Sequence, residues 1–162
     1  MPGYLKEKII RALLNAHPYE EPAYDIIPLD NALSIVGAGI IGELPGEKDE
    51  LQFLHQLKSI FQLDTLKHTS LLNKTIRKVA ICGGSGSEFL PEAITAGADV
   101  FISADFKYHQ YFDAENKILI ADIGHYESEQ FTKDVFYEII TKNIPKFAVR
   151  ISDVNTNPIK YL

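Results

Sequence analysis

The sequence has a single cysteine, no long apolar run and no basic face, and each shortage excludes a class of protein. Cys82 is the one cysteine among 162 residues, so no disulfide can form within the chain, which is typical of a reducing compartment. No apolar run approaches the length of a bilayer span, and the first residues contain no apolar stretch of the kind found in secretory signals. We therefore expect a cytoplasmic protein with no membrane contact.

The charge distribution argues against a nucleic-acid partner. The net charge is −6 at pH 7, and acidic and basic residues are interspersed along the chain. Nucleic-acid-binding proteins usually carry a basic face, whereas the most basic stretch here, "NKTIRK" at 73–78, is short. Hydrophobic residues make up 46% of the chain and charged residues 23%, as in ordinary globular proteins. A chain of this length can bury a core without disulfides or a structural metal.

Residues 1–72 show one pattern of elements. The pattern predicts, in order, an amphipathic helix at 7–16, the turn "HPYEEP", a short strand at 23–31, an apolar strand or hairpin at 34–48, and a second helix at 48–62. The second helix has an apolar stripe that we expect to face inward: Leu51, Leu54, Leu57, Ile60 and Phe61. This order is the tail of a split β-α-β motif whose first strand is missing.

Residues 73–162 instead alternate strand and helix. "RKVAICGG", "ADVFISAD" and "KILIADIG" read as strands that are each followed by a helix, and "KFAVRIS" reads as a closing strand. The runs at 79–81, 100–102 and 118–120 lack polar alternation, which is typical of strands buried on both faces. We predict an α/β fold, with a three-layer C-terminal domain and a mostly parallel sheet at 73–162, preceded by a partial α+β domain at 1–72.

Polar clusters follow the three predicted central strands. "CGGSGSE" follows the first, "SADFKYH" the second and "ADIGHYESE" the third. Ligands of open α/β sheets bind outside the carboxyl ends of the strands. If these strands are parallel neighbours, the three clusters lie at one edge of the sheet. This convergence predicts a site more strongly than any single cluster does.

His125 and Glu129 have the spacing of a chelating pair. On a helix that begins near Gly124, positions i and i+4 share a face with Cβ atoms about 5–6 Å apart. An imidazole and a carboxylate suit zinc, iron or manganese, and Asp122 and Glu127 can add negative charge. The alternative is a surface His and Glu beside a helix cap, where the positive helix end repels a cation.

The other two clusters offer anion binding and proton transfer. Backbone N–H groups of Gly83, Gly84, Ser85 and Gly86 can hold an anion, or the loop can be a tight turn, and both interpretations stay open. Phe89 occupies the position of the third glycine, so the dinucleotide-binding fingerprint is incomplete.

In "DFKYH", each polar residue has a possible role. Asp105 can support a metal ligand, Lys107 can hold a phosphate, and His109 can transfer protons. The alternative is a polar first helical turn with Asp105 as N-cap. Because this cluster shares an edge with the other two, we prefer the functional interpretation.

Four stretches together resemble one family. "HPYEEPAYDIIPLDN", "GGSGSEFLPEAITAGADVFISADFKYH", "DIGHYESE" and "NTNPIKYL" are similar, in order, to the Nif-three-like proteins, also called GTP cyclohydrolase 1 type 2 homologues. The resemblance implies a two-metal α/β protein that forms a homohexameric ring, with residues 1–72 belonging to an inserted ferredoxin-like domain similar to PII proteins. It also implies that His125 and Glu129 are metal ligands. Asp105, Lys107, Tyr108 and His109 would line the same cavity.

The sequence also departs from the family pattern. Family members begin with a half that carries a His-His-Pro motif and a downstream Asp, and this sequence contains no "HH". We therefore expect a C-terminal portion only, which binds metal weakly and has little activity by itself.

Two main functions and a third possibility stay open. The first is a metal-dependent hydrolase acting on a nucleotide-like or phosphorylated substrate, with His109 as acid or base and Asp105, Tyr108 and Asp122 supporting the ligands. The alternative is a non-catalytic metal-binding scaffold or a small-molecule-sensing module. A metal-free α/β domain that binds anions through "GGSGS" is the third.

Overall fold

The computed structural model describes residues 3–27 and 37–162, which fall into two compact units divided between residues 35 and 36. The first unit contains a 3-10 turn at Gly3–Leu5 and helix α1 at Lys6–Ala16, and no residue of α1 is buried. The helix predicted at 7–16 is confirmed. Within the described part of the predicted strand at 23–31, residues 23–27 belong to no strand, and the remainder lies outside the described residues.

The second unit is built on a mixed sheet. Its described strands are β1 (Ile40–Asp49), β2 (Lys67–His68), β3 (Thr75–Ser85), β4 (Val100–Ala104) and β5 (Leu119–Asp122). Their spatial order is β1-β3-β4-β5-β2. The central strands β3, β4 and β5 are parallel, whereas β1 and β2 pair antiparallel at the two edges. The predicted α/β class is confirmed, with a mixed sheet whose centre is parallel.

The helices of this unit lie between or after these strands. They are α2 (Glu50–Phe61), α3 (Leu90–Thr95), α4 (His125–Glu129) and α5 (Thr132–Asn143), with 3-10 helices at Ser87–Phe89 and Tyr108–Ala114. Helix α2 begins where the Asp49 carboxylate accepts a hydrogen bond from the Gln52 N–H at 3.0 Å. In its stripe Leu54 and Leu57 are buried as predicted, but Leu51 and Ile60 are about half exposed, at 49% and 54%. Because Phe53 and Glu50 are also buried, the packed face of the helix is rotated from the predicted stripe.

Buried side chains lie in two clusters that share alternating positions of the central strands. The cluster that includes α2 contains Val100, Ile102 and Leu119. The other cluster includes α3 and contains Phe101 and Ile120. Because consecutive residues of β4 and β5 enter different clusters, both faces of these strands are buried, as their unbroken apolar runs predicted.

Strands β1 and β2, which precede the predicted boundary after residue 72, belong to this same sheet. Strand β1 pairs with β3 from Ile40 opposite Ile81, and the register shifts between Glu43 and Lys48. Pro45, which lacks an N–H donor, lies inside that interval. The second compact unit therefore includes residues 40–68, because β1 pairs with β3 and α2 buries Phe53, Leu54 and Leu57 in the cluster of the central strands. The domain boundary after residue 72 stays a prediction.

The predicted closing strand "KFAVRIS" does not form. The described residues from 147 to 162 contain no helix or strand. The described sheet ends in β1 on one side and β2 on the other, and residues 146–152 pair with neither. None of the helices in residues 3–27 and 37–162 has the length and apolar character needed to cross a bilayer.

Candidate functional site

The three polar clusters meet at the carboxyl edge of the central strands. Asp105 directly follows β4, α4 begins three residues after β5, and Gly84 lies at the end of β3. Two hydrogen bonds join them: Asp105 contacts His125, and the Gly84 N–H donates to Ser128 Oγ at 2.8 Å. The convergence predicted from the strand order is therefore present.

His125 and Glu129 lie side by side, one turn apart on α4. Nε2 of His125 is 3.4 Å from Oε2 of Glu129, and both side chains are about half exposed, at 48% and 53%. The helix can begin here because Gly124 adopts φ +87°, and a Cβ atom at that position would lie 2.2 Å from Glu127 Oε2. A glycine is thus required immediately before the His125 backbone.

Asp105 contacts the imidazole of His125 on the side opposite Glu129. Its Oδ2 lies 2.6 Å from Nδ1 of His125, and Asp105 itself takes the left-handed φ of 59°. The hydrogen bond to Asp105, with a smaller contribution from Glu129, raises the pKa of His125 above its ordinary value. Asp105 is not a helix N-cap, since the following 3-10 helix begins at Tyr108 with Lys107 as its cap.

The glycine loop packs against α4. A Cβ atom on Gly84, whose φ is +63°, would lie 2.4 Å from Glu129 Oε1 and 3.5 Å from His125 Cε1. The Gly84 N–H is taken by Ser128, and the Gly86 N–H donates to the Gly84 carbonyl at 3.0 Å. A tight turn accounts for these two amides. Anion binding by Gly83, Gly84, Ser85 and Gly86 stays a prediction.

Lys107, Tyr108 and His109 lie on the outer side of the 3-10 helix. All three side chains are exposed, and the Tyr108 and His109 rings pack edge to face with centroids 5.3 Å apart. None of them forms a hydrogen bond or ion pair with His125 or Glu129 in the part of the chain that the structure describes. Of the "DFKYH" cluster, the structure thus brings Asp105 alone into contact with the pair.

Asp122, at the end of β5, has a buried carboxylate that is engaged in a separate network. Its Oδ2 lies 2.7 Å from Lys67 Nζ and accepts a hydrogen bond from the Tyr111 hydroxyl at 2.8 Å. Its Oδ1 accepts from the Gly124 N–H at 3.2 Å. Burial and the Asp122 carboxylate raise the pKa of Tyr111 well above its usual value. Asp122 therefore supports the turn that leads into α4, and the hydrogen bonds of its carboxylate do not go to His125.

Two residues of α4 stabilise the site through contacts that were not predicted from the sequence. Ser128 Oγ accepts from Gly84 and donates to the His125 carbonyl at 2.8 Å, so it joins the glycine loop to the helix. Glu127 is buried, and its Oε1 accepts from Asn157 Nδ2 at 3.0 Å. Serine hydroxyls often donate to a backbone carbonyl three or four residues earlier, so the position of Ser128 could have predicted its hydrogen bond to His125. The burial of Glu127 has no comparable local signal.

The residues present fit half of a metal site. Two ligands held at about 2.1 Å from one tetrahedral ion lie about 3.4 Å apart, which is the separation of Nε2 and Oε2. Ligating histidines commonly donate their other N–H to a carboxylate, as Asp105 allows. Within residues 3–27 and 37–162, no three His, Cys, Asp or Glu side chains are arranged to hold an ion. Asp105 does not complete a set, because it contacts the opposite side of the imidazole.

The chain is similar in sequence to curated proteins that share one name. A protein named GTP cyclohydrolase 1 type 2 homolog from Staphylococcus epidermidis is 38% identical over 156 residues, covering 93% of this chain and 42% of the relative. Its namesake from Listeria monocytogenes is 37% identical over 173 residues, covering 99% of this chain and 44% of the relative. The chain thus spans less than half the length of these curated relatives.

The fold and the family model agree with these relatives. The crystal structure of a Bacillus cereus protein related to NIF3 superposes with a TM-score of 0.78 at 34% identity, covering 100% of this chain and 46% of that one. The model of the Duf34/NIF3 family, NGG1p interacting factor 3, matches residues 6–158. Since that match takes in the strands, the glycine loop and the His125–Glu129 pair, the chain belongs to the Duf34/NIF3 family.

Proposed function

We propose that this chain supplies His125 and Glu129 to a divalent-metal centre of a hydrolase that acts on a nucleotide-like or phosphorylated substrate. The observation that carries the proposal is the 3.4 Å separation of Nε2 and Oε2 at the carboxyl edge of three parallel strands. Relatives named GTP cyclohydrolase 1 type 2 homolog support the same class of activity. Zinc, iron or manganese suits this donor set.

The surrounding residues prepare the pair for an ion. When His125 is neutral and its Nδ1 proton is donated to the Asp105 carboxylate, Nε2 on the Glu129 side can ligate an ion. Gly84 leaves room for the Glu129 carboxylate, and Ser128 holds that loop against α4. A divalent ion bound here supplies Lewis-acid activation of water and of the bond to be broken. Because two side chains are a small ligand set, we expect weak binding by this chain alone.

Further features expected from the family stay predictions. These are proton transfer by His109, the PII-like character of residues 1–72, a second metal ion, a homohexameric ring, and a match to the C-terminal portion of family members. Light scattering coupled to size-exclusion chromatography tests the hexamer directly. His109 is exposed and packs on Tyr108, so the role of His109 is tested by an activity measurement on His109→Gln rather than by the geometry.

The experiment that tests the proposal measures metal binding in the metal-stripped chain by calorimetric titration with zinc and manganese. We expect His125→Ala and Glu129→Ala each to lower the affinity by more than about tenfold, because ligand loss exceeds the loss caused by outer supporting residues. His55→Ala and Glu138→Ala are the matched controls, since both side chains are exposed and lie on other helices. Unchanged affinity in both site variants contradicts the proposal.

A hydrolysis assay separates the enzyme from a scaffold or sensing module. Metal-loaded chain is incubated with a set of nucleotides and phosphate esters, and released phosphate or altered base is measured. Turnover that disappears in His125→Ala supports the hydrolase. Metal binding that depends on His125 and Glu129, with no turnover of any tested substrate, favours the non-catalytic module.

A further inference from the structure

A cavity of about 530 Å³ lies directly beside the His125–Glu129 pair, a volume within the range of small-molecule sites. His125 and Glu129 line it, and α5 contributes Lys133. The remaining wall comes from the segment 152–159, which contains no helix or strand. The predictions from sequence did not include this space, although the "NTNPIKYL" stretch of the family resemblance supplies part of its wall.

The 152–159 segment is attached to α4 through a specific side-chain pair. Asn157 Nδ2 donates to Glu127 Oε1 at 3.0 Å, and Asn157 Oδ1 accepts from the Ile159 N–H at 3.1 Å. Glu127 is 8% exposed, and its Oε2 has no hydrogen-bond partner within the described residues. Because both polar ends of the Asn157 amide are used, this residue sets the position of the wall relative to the helix that carries the candidate metal ligands.

The lining combines a cation, hydroxyl donors and apolar surface. Lys133 supplies a positive charge, and Ser152 and Thr156 supply hydroxyl groups. Val154 and Ile159 supply apolar surface on the same segment. A lysine ammonium is a common partner of phosphate, hydroxyls can donate to its oxygens, and the apolar side chains suit the organic part of an ester. Glu129, the acidic group at this cavity, is paired with His125.

We propose that this cavity binds a small organic phosphate, with Lys133 contacting the phosphate group and the 152–159 segment covering the organic part. The inference deepens the proposed function and rests on it in one respect: the bound ester then lies beside His125 and Glu129. Asn157 is a positioning residue in this arrangement, because it acts by holding the wall against Glu127.

The test uses the full chain, labelled with ¹⁵N and kept metal-free with a chelator, so that its outcome does not depend on the metal centre. Adenosine 5′-monophosphate and inorganic phosphate are titrated while amide resonances are recorded. We expect saturable shifts at Lys133 and in 152–159, and tighter binding of the nucleotide because inorganic phosphate has no organic part to bury. Lys133→Gln should weaken nucleotide binding about tenfold through loss of a charged hydrogen bond.

Two further variants make the test specific. Lys142→Gln removes the same charge from the same helix outside the cavity lining, and it should leave the affinity unchanged. Asn157→Ala should weaken nucleotide binding and broaden the 152–159 resonances. Absence of saturable shifts in this segment, or equal affinity in Lys133→Gln and Lys142→Gln, overturns the inference. Metal binding without nucleotide binding refutes the cavity site alone, and nucleotide binding without metal binding refutes the metal centre alone.

Discussion

Two carboxylate clusters at the carboxyl edge of the sheet differ sharply in exposure. The buried cluster is named for its carboxylate: the Asp122 side chain is 1% exposed, whereas its partners are a half-buried Tyr111 and a Lys67 side chain that is 65% exposed. The exposed cluster consists of Asp105, His125 and Glu129, whose side chains are 47%, 48% and 53% exposed.

The comparison teaches that burial, rather than residue type, separates the roles of the two clusters. A buried carboxylate is costly unless fully partnered, so once partnered it binds its neighbours to the fold. An exposed ion pair adds little stability, so its groups are available to a ligand. We expect mutations in the buried cluster to act on stability and mutations in the exposed cluster to act on binding.

The largest effect on stability is expected from Asp122→Ala. The change removes the hydrogen bonds from Tyr111 and the Gly124 N–H together with the ion pair to Lys67. We expect a loss of about 3 kcal/mol in the free energy of unfolding, measured by urea denaturation. Asp113→Ala, at an exposed position, is the control and should change stability by less than about 0.5 kcal/mol. Equal stability of the two variants would remove the distinction between the clusters.

Gly84→Ala should have an intermediate effect, because it acts on the backbone beside the exposed cluster. A side chain at φ +63° costs about 1 kcal/mol, and the new Cβ atom would lie 2.4 Å from Glu129 Oε1. Since the Glu129 carboxylate ends a flexible side chain, it can move aside, and the displacement should lower metal affinity. Gly42→Ala is the control, because a Cβ atom there meets no atom within 4 Å. Calorimetric metal titration and urea denaturation of both variants measure the two effects.

Tyr111→Phe sharpens the comparison by removing a single hydrogen bond from the buried cluster. The Asp122 carboxylate keeps Lys67 and the Gly124 N–H, so we expect a loss of about 1 kcal/mol. Tyr108→Phe removes a hydroxyl from an exposed ring and should leave stability unchanged. Thermal denaturation of both variants checks this, and a larger loss in Tyr108→Phe would count against the assignment.

The smallest stability effect is expected from Asp105→Asn, which alters a pKa instead. Asp105 raises the pKa of His125, so the metal-free variant should show a lower His125 pKa in an NMR titration. Because the folded-state pKa lies above the unfolded one, the pair's stabilisation is complete below pH 6.5 and is lost as the pH rises through the raised value. The exposure of both groups keeps this contribution below about 1 kcal/mol. An unchanged His125 pKa in the variant would contradict the assigned cause.

Local sequence patterns predicted much of the fold and part of the site. The unbroken apolar runs of β4 and β5 predicted strands buried on both faces, since no polar alternation marks a solvent-facing side. The spacing of His125 and Glu129 predicted a shared helical face because α-helical geometry is local. "KFAVRIS" has the composition of a strand, yet residues 146–152 form none, because composition alone does not supply a pairing partner.

Local sequence patterns did not predict contacts between segments that are distant in the chain. Gly84 and Ser128 are separated by 44 residues, and their hydrogen bond depends on how β3 and α4 are brought together. The same holds for Asp122 with Lys67 and for Glu127 with Asn157. The left-handed conformation of Asp105 likewise follows from the path of the chain after β4 rather than from the residue type.

By itself, the sequence determined the helices and strands with strong hydrophobic periodicity and the polar residues that follow each central strand. It also determined that an imidazole and a carboxylate lie one helical turn apart. These depend on interactions among near neighbours in the chain. The tertiary structure alone decided which carboxylates are buried, which backbone amides of the glycine loop are occupied, and that a segment without secondary structure forms the wall of a cavity. Such outcomes depend on which distant surfaces exclude water from each other, and that is settled by packing.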